Sequence, residues 1–107
     1  MRFHHIGIPT TESKEGEVYS PDSKLFLTDI DSHPYRVEWL RFEPGCPMPE
    51  IIQRIPHVAF EVDNLQDAIE GQDILIPPKI LANGLRIAFI VEGGAPVEFI
   101  ERPTHQS

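Results

Sequence analysis

The feature that most constrains this chain is an internal repeat, in which the second half restates the first. A stretch near the N-terminus carries His5 followed by Gly7, and a stretch in the middle of the chain carries His57 followed by Ala59 at the same spacing. The surrounding residues are apolar in both stretches, as expected for short strands. The repeat predicts two half-length modules, each of which opens on a strand with a His.

A second match places a Glu on the last strand of each module. The segment 37–40 aligns with the segment 97–100, so Glu98 stands where Glu38 stands in the first module. Side chains alternate along a strand, so each His shares a face with the small residue two positions later. Small neighbours leave room for an ion or a ligand.

Length and repeat together predict one α+β domain over residues 1–107, in which two modules share a core. The predicted divisions are module one at 1–43, a Pro-rich linker at 44–54, module two at 55–102 and a tail at 103–107. Prolines crowd the linker, and we expect it to be extended rather than helical.

Periodicity places the elements of each module. Strands are predicted at 3–8, 17–19, 24–29, 35–42, 55–62, 73–81, 85–92 and 95–101. In module two, Asp63 or Asn64 caps a short helix that Gly71 ends. Residues 10–23 are polar and lack apolar periodicity, so the helix of module one is reduced or missing. The strand face with Tyr35, Val37 and Trp39 is bulky, and we expect it in the core.

Composition excludes several classes of partner. The formal charge is −8 and no basic run occurs, which argues against nucleic-acid and anionic membrane surfaces. Cys46 is the single cysteine, so no internal disulfide is possible, which suits a reducing cytoplasm. No signal peptide or membrane span is evident, and we expect a cytoplasmic protein.

Each acidic or imidazole residue of the repeat has a plain structural alternative. A Glu between apolar strand residues lies most simply on a solvated sheet face. A lone His more often has a structural role than a ligand role. Burying a carboxylate without compensation is costly, so each Glu either faces water or has a partner. Four matching positions from an internal duplication make coincidence less attractive, and together they favour a site.

The motifs at 5–8, 57–62 and 94–101 resemble those of the vicinal oxygen chelate superfamily, which includes glyoxalase I, methylmalonyl-CoA epimerase, extradiol dioxygenases and bleomycin-binding proteins. The resemblance implies two βαβββ modules that form a curled mixed sheet around a metal cleft. By position it implies the metal ligands His5, Glu38, His57 and Glu98. His4 is the rival of His5, but the repeat places it opposite Pro56.

The chemistry implied is that of a glyoxalase-type lyase or isomerase. A divalent ion, Zn, Ni, Co, Mn or Fe(II), suits two imidazoles and two carboxylates. The resemblance assigns Glu98 as the leading base for removing a proton beside a carbonyl of a small-molecule substrate, and Glu38 as ligand or second proton carrier. The fourth ligand disfavours an extradiol dioxygenase, whose Fe(II) uses two His and one carboxylate.

Three further expectations remain open. Arg36 and Arg86 are the basic residues expected nearest the cleft, although a surface ion pair is the simpler role of Arg36. The competing hypothesis is a binding module without chemistry that holds an apolar or aromatic ligand between Phe26, Trp39 and Phe89. The third hypothesis for the protein is an inactive structural subunit. With one flank shortened, the cleft is open or is covered by a second subunit in a homodimer.

Overall fold

The structure, a computed structural model, describes residues 1–103. Residues 104–107 of the predicted tail lie outside the described part of the chain. The chain divides into two compact units. One unit comprises residues 5–57, and the other comprises residues 1–4 and the chain from Val58 onward.

The unit of residues 5–57 is built on four strands and one short helix. Its elements are β1 (Arg2–Pro9), which enters it at His5, β2 (Val18–Ser20), β3 (Leu25–Leu27), a 3-10 turn (Ile30–Ser32), β4 (Val37–Phe42) and α1 (Glu50–Arg54). The strand order is β2-β3-β4-β1. Strands β1 and β4 are parallel, whereas the other neighbours are antiparallel. Its buried apolar residues include Leu25, Leu40 and Ile52.

The first module has no helix between β1 and β2, all of whose connecting residues are described. Polar residues fill this connection, and they offer no apolar face that a helix could bury. The predicted loss of the helix of module one is confirmed.

The prediction of an extended linker was wrong for its last five residues, which form α1. Pro49 occupies the N-cap of this helix with φ −53°, and Pro56 follows its end. A proline at the start of a helix removes an amide hydrogen that would have no partner there. The prolines therefore bracket the helix rather than prevent it.

The expectation of a buried aromatic face on β4 was wrong for Tyr35, whose exposed fraction is 77%. Arg36 has φ +56°, a left-handed conformation that ends extended pairing, and the strand begins only at Val37. Leu40, on the opposite face from Trp39, is the buried residue of β4. Trp39 itself is half-buried.

The second unit repeats the plan with its helix present. Its elements are β5 (His57–Glu61), which enters it at Val58, α2 (Leu65–Ile69), β6 (Asp73–Ile80), β7 (Arg86–Glu92) and β8 (Ala95–Glu101). The strand order is β5-β8-β7-β6, with β5 and β8 parallel. A core cluster packs α2 against the sheet: Val62, Leu65, Ile69, Ala88, Ile90 and Phe99.

Local signals fix the bounds of α2. The Asn64 side chain accepts a hydrogen bond of 2.9 Å from the Asp67 amide, which confirms the predicted cap. Gly71 has φ +74°, the left-handed conformation common just after a helix end. Strand β6, which contains two prolines, is the outermost of this order and pairs with β7 through two register shifts.

The same strand pairing occurs within each unit, and this confirms the predicted α+β fold of two similar modules. Gly7 lies opposite Glu38 in the parallel pair of β1 and β4. Ala59 lies opposite Glu98 in the parallel pair of β5 and β8. None of the helices within residues 1–103 has the length and apolar character needed to cross a lipid bilayer.

Candidate metal centre

His5 is the residue of the candidate site contributed by β1. It lies in the middle of the strand and its exposed fraction is 5%. Alternation along the strand puts it on the same face as Gly7, which is also buried. A buried imidazole needs polar partners, since burying a polar group without one is costly.

Glu38 brings a carboxylate to the same place from β4. Its position opposite Gly7 sets its side chain beside His5, and its Oε1 atom lies 3.5 Å from Nε2 of His5. This separation is long for a hydrogen bond. The distance is close to that between two ligand atoms of one tetrahedral ion, which lie about 3.4 Å apart when each is about 2.1 Å from the metal.

His57 supplies the second imidazole from the first residue of β5, with an exposed fraction of 3%. Its ring meets that of His5 edge to face, with centroids 5.6 Å apart and planes at 80°. The ring lies directly over Gly7: a Cβ atom on that residue would be 2.8 Å from Nε2 of His57 and 2.9 Å from Nδ1. The imidazole therefore occupies the volume that any larger residue at position 7 would fill.

These three side chains form a group that could hold a metal ion. One ligand atom from each of His5, Glu38 and His57 lies within 4.8 Å of the other two. Two ligands on opposite sides of an ion are about 4.2 Å apart at ligand distances of about 2.1 Å, so the group is close to the size of a metal site. Two nitrogens and one carboxylate oxygen suit divalent first-row ions. The residues fit the metal that the resemblance implies.

Glu98 occupies the corresponding place in the other unit. It is buried, with an exposed fraction of 7%, and lies in β8 between Val97 and Phe99. A buried Glu inside an apolar strand departs from the solvated-face alternative. The group of three does not include Glu98, and its assignment as fourth ligand and base stays a prediction.

The two predicted basic residues are held in ion pairs. Arg36 pairs with Asp31 at 3.2 Å, and Arg86 pairs with Glu101 at 3.0 Å. Ion pairing at an exposed surface was the simpler role expected for Arg36.

Two of the three aromatic residues considered as a ligand cleft already have a cation over their rings. The Lys14 ammonium lies 4.3 Å from the Trp39 ring centre, and the Arg41 guanidinium lies 4.0 Å from that of Phe26. Phe89 is buried. Contacts of this kind stabilise the fold without a ligand.

Sequence reasoning missed an ion cluster around Glu61. Arg2 donates to this carboxylate at 2.7 Å and Arg102 donates at 2.6 Å. The hydrogen bond from Arg2, followed by that from Arg102, lowers the pKa of Glu61. The three residues lie far apart in the chain, and their contacts depend on the folded structure rather than on local sequence.

Comparisons with known proteins show the fold. No protein-family model matches the chain, and no curated protein matches it. A hypothetical protein from Bacillus halodurans C-125 is similar in structure, with 19% identity, a TM-score of 0.63, and coverage of 99% of this chain and 97% of that one. Methylmalonyl-CoA epimerase from Mycobacterium tuberculosis is similar with 15% identity, a TM-score of 0.64, and coverage of 96% and 89%. These likenesses fit the vicinal oxygen chelate fold.

Proposed function

We propose that this protein is a metal-dependent lyase or isomerase of the glyoxalase type, acting on a small substrate with a proton beside a carbonyl group. The observation that carries the proposal is the His5–Glu38–His57 group, in which three ligand atoms lie within 4.8 Å of one another. Support also comes from the fold shared with an epimerase.

Each residue has a separate task in this proposal. His5, Glu38 and His57 would hold a divalent ion through one nitrogen of each imidazole and one carboxylate oxygen. When bound there, the ion would supply Lewis acidity toward the substrate carbonyl, which would make the adjacent C–H more acidic. All three residues lie on strands, which place functional side chains more precisely than loops do.

Glu98 is proposed as the base that removes the proton. The support is the repeat itself, since Glu98 stands opposite Ala59 as Glu38 stands opposite Gly7. Its burial also supports this role, because a buried Glu inside an apolar strand departs from the solvated surface position that Glu usually has.

The substrate is proposed to be small and without a large anionic handle. The chain has nine Lys and Arg against seventeen Asp and Glu. The two arginines expected near the cleft, Arg36 and Arg86, are both engaged with carboxylates. A thioester with several phosphates would need more free cationic groups.

Metal content tests the metal proposal directly. Protein purified without added metal, and protein incubated with Zn, Ni, Co, Mn or Fe(II), is analysed for bound ions after gel filtration. About one ion per chain is expected, and none in His5→Ala or His57→Ala. Zero stoichiometry in the wild type after every incubation would end the proposal.

Proton exchange tests the reaction. The metal-loaded protein is incubated in D₂O with a panel of small 2-hydroxy and 2-oxo carbonyl compounds, and loss of the C–H signal beside the carbonyl is followed by NMR. Exchange is expected with at least one compound and is expected to stop in Glu98→Gln. Exchange that persists unchanged in this variant would reject Glu98 as the base.

A second candidate, a ring-cleaving dioxygenase, is favoured by one observation. The residues brought together are two His and one carboxylate, the ligand set of non-haem Fe(II) oxygenases. The discriminating assay adds a catechol and O₂ to the Fe(II)-loaded protein and follows the coloured ring-opened product. Product formation with Fe(II) and no proton exchange with any metal would replace the first proposal by this one.

A further inference from the structure

We infer that Gly7 is a positioning residue whose missing side chain sets the His57 imidazole in place for metal binding. The inference rests on the proposed function for its metal and on geometry for its contact. The contact is the position of the His57 ring, which a Cβ atom on Gly7 would meet at 2.8 Å from Nε2.

The backbone does not explain this glycine. Six other glycines have positive φ, where a residue with a side chain would be strained, but Gly7 is not among them. Gly7 lies inside β1, where glycine weakens a strand because it loses more conformational entropy and has no side chain to pack. A glycine in a strand interior often marks a close approach by another group.

The group that approaches Gly7 is the His57 imidazole, and the distances leave no space for a Cβ atom. Cβ atoms in proteins essentially never approach another heavy atom closer than 3.0 Å, and both ring nitrogens of His57 would violate this limit. Gly7 and His57 are both buried, so the ring cannot move aside into water without leaving the site. A residue with a side chain at position 7 would require the His57 ring, or the backbone around it, to shift.

The repeat shows that this arrangement belongs to one module alone. Ala59 holds the equivalent position in the second module and keeps its Cβ atom while fully buried. The two modules are therefore not interchangeable at this position. Gly7 acts through His57, and it offers no ligand atom of its own.

Gly7→Ala is the test, with metal affinity and a spectroscopic signal as readouts. Its affinity for Co(II) and Zn(II) is expected to fall about ten- to a hundredfold, the range seen when the support of a metal ligand is lost. The visible absorption of the Co(II) form should change in position or intensity, since one ligand is displaced. Ile8→Val, on the same strand and the opposite face, is the matched control and should retain both readouts.

A double-mutant cycle in metal-free protein tests the contact itself. Gly7→Ala should lower the melting temperature when His57 is present, and should leave it unchanged or raise it in the His57→Ala background, where the added methyl group has room. Equal effects of Gly7→Ala in both backgrounds, together with unchanged Co(II) affinity and spectrum, would overturn the inference.

Two further outcomes, a variant that does not fold and a wild type that binds no metal, distinguish the inference about Gly7 from the proposed function. If Gly7→Ala does not fold, folding of Gly7→Ala/His57→Ala supports the inference, and failure of both overturns it. If the wild type binds no metal, the proposed function and the metal-positioning role fail together, whereas the cycle still shows whether Gly7 places His57.

Discussion

Glu38 lies opposite Gly7 across the parallel pair of β1 and β4, with its Oε1 atom 3.5 Å from Nε2 of His5. This register places an acidic residue beside the one residue of β1 that has no side chain. The carboxylate and the imidazole of His5 can therefore approach the same point. Removing the charge of Glu38 should therefore weaken metal binding.

Glu38→Gln is expected to bind divalent metal at least about a hundredfold more weakly than the wild type. The loss should exceed the ten- to hundredfold effect of an outer-shell partner, because a neutral amide replaces an ionised ligand. Isothermal titration with Zn(II) and Co(II) measures it, and circular dichroism checks the fold. Glu15→Gln, at an exposed loop position, is the charge-matched control. Equal affinity of Glu38→Gln and the wild type would remove Glu38 from the ligand set.

The strand face on which each repeated residue lies could be predicted from the sequence, because the internal repeat aligns the first strands of the two modules. A one-residue slip would turn every side chain to the other face, so a match at His5 and Gly7 fixes the face of both residues. The same holds for His57 and Ala59. The resemblance implied four ligands, and the structure brings three of them, His5, Glu38 and His57, into a group that could hold a metal ion.

Other features could not be predicted because they depend on contacts through space or on the backbone. The left-handed conformation of Arg36, which excludes Tyr35 from β4, is not typical of an arginine. The contact between Gly7 and His57 joins residues fifty positions apart and required coordinates. Helix α1 was missed because its flanking prolines were interpreted as breakers, when they mark its two ends.

Acid should destabilise the protein in part through Glu17. The hydrogen bond from Arg41 lowers the pKa of Glu17 from 4.5 to about 2, despite an opposing contribution from burial. A folded-state pKa below the unfolded value adds stability that is present above pH 4.5 and is lost as the pH falls toward 2. Urea unfolding across this window should show a steeper loss of stability in the wild type than in Glu17→Gln.

The control for this pH effect is Glu12→Gln. Glu12 is exposed and pairs with Lys14 at 3.3 Å, and exposed pairs of this kind contribute little. Its pH profile should follow that of the wild type. Parallel profiles of the wild type and Glu17→Gln between pH 4.5 and 2 would show that the Arg41 contact does not depress the Glu17 pKa.

Asn64→Ala should destabilise the unit that contains α2 by about 1 kcal/mol, the usual cost of losing an N-cap side chain. The lost contact is the 2.9 Å hydrogen bond from the Asp67 amide. Chemical denaturation with urea gives the free energy of unfolding. Asn64→Ser keeps a capping oxygen and should lose much less, so similar losses in Ser and Ala variants would argue against capping as the cause.

Ile52→Ala should reduce the free energy of unfolding by about 2–5 kcal/mol, because it removes a fully buried side chain from the short helix between the modules. A helix of five residues is too short to be stable in isolation, so α1 depends on the packing of this residue. Ile51, its half-buried neighbour, is the matched control, and Ile51→Ala should cost clearly less. Because α1 ends three residues before His57, we also expect Ile52→Ala to weaken metal binding, whereas Ile51→Ala should not. Equal losses of stability in the two variants would show that packing of Ile52 does not anchor the helix.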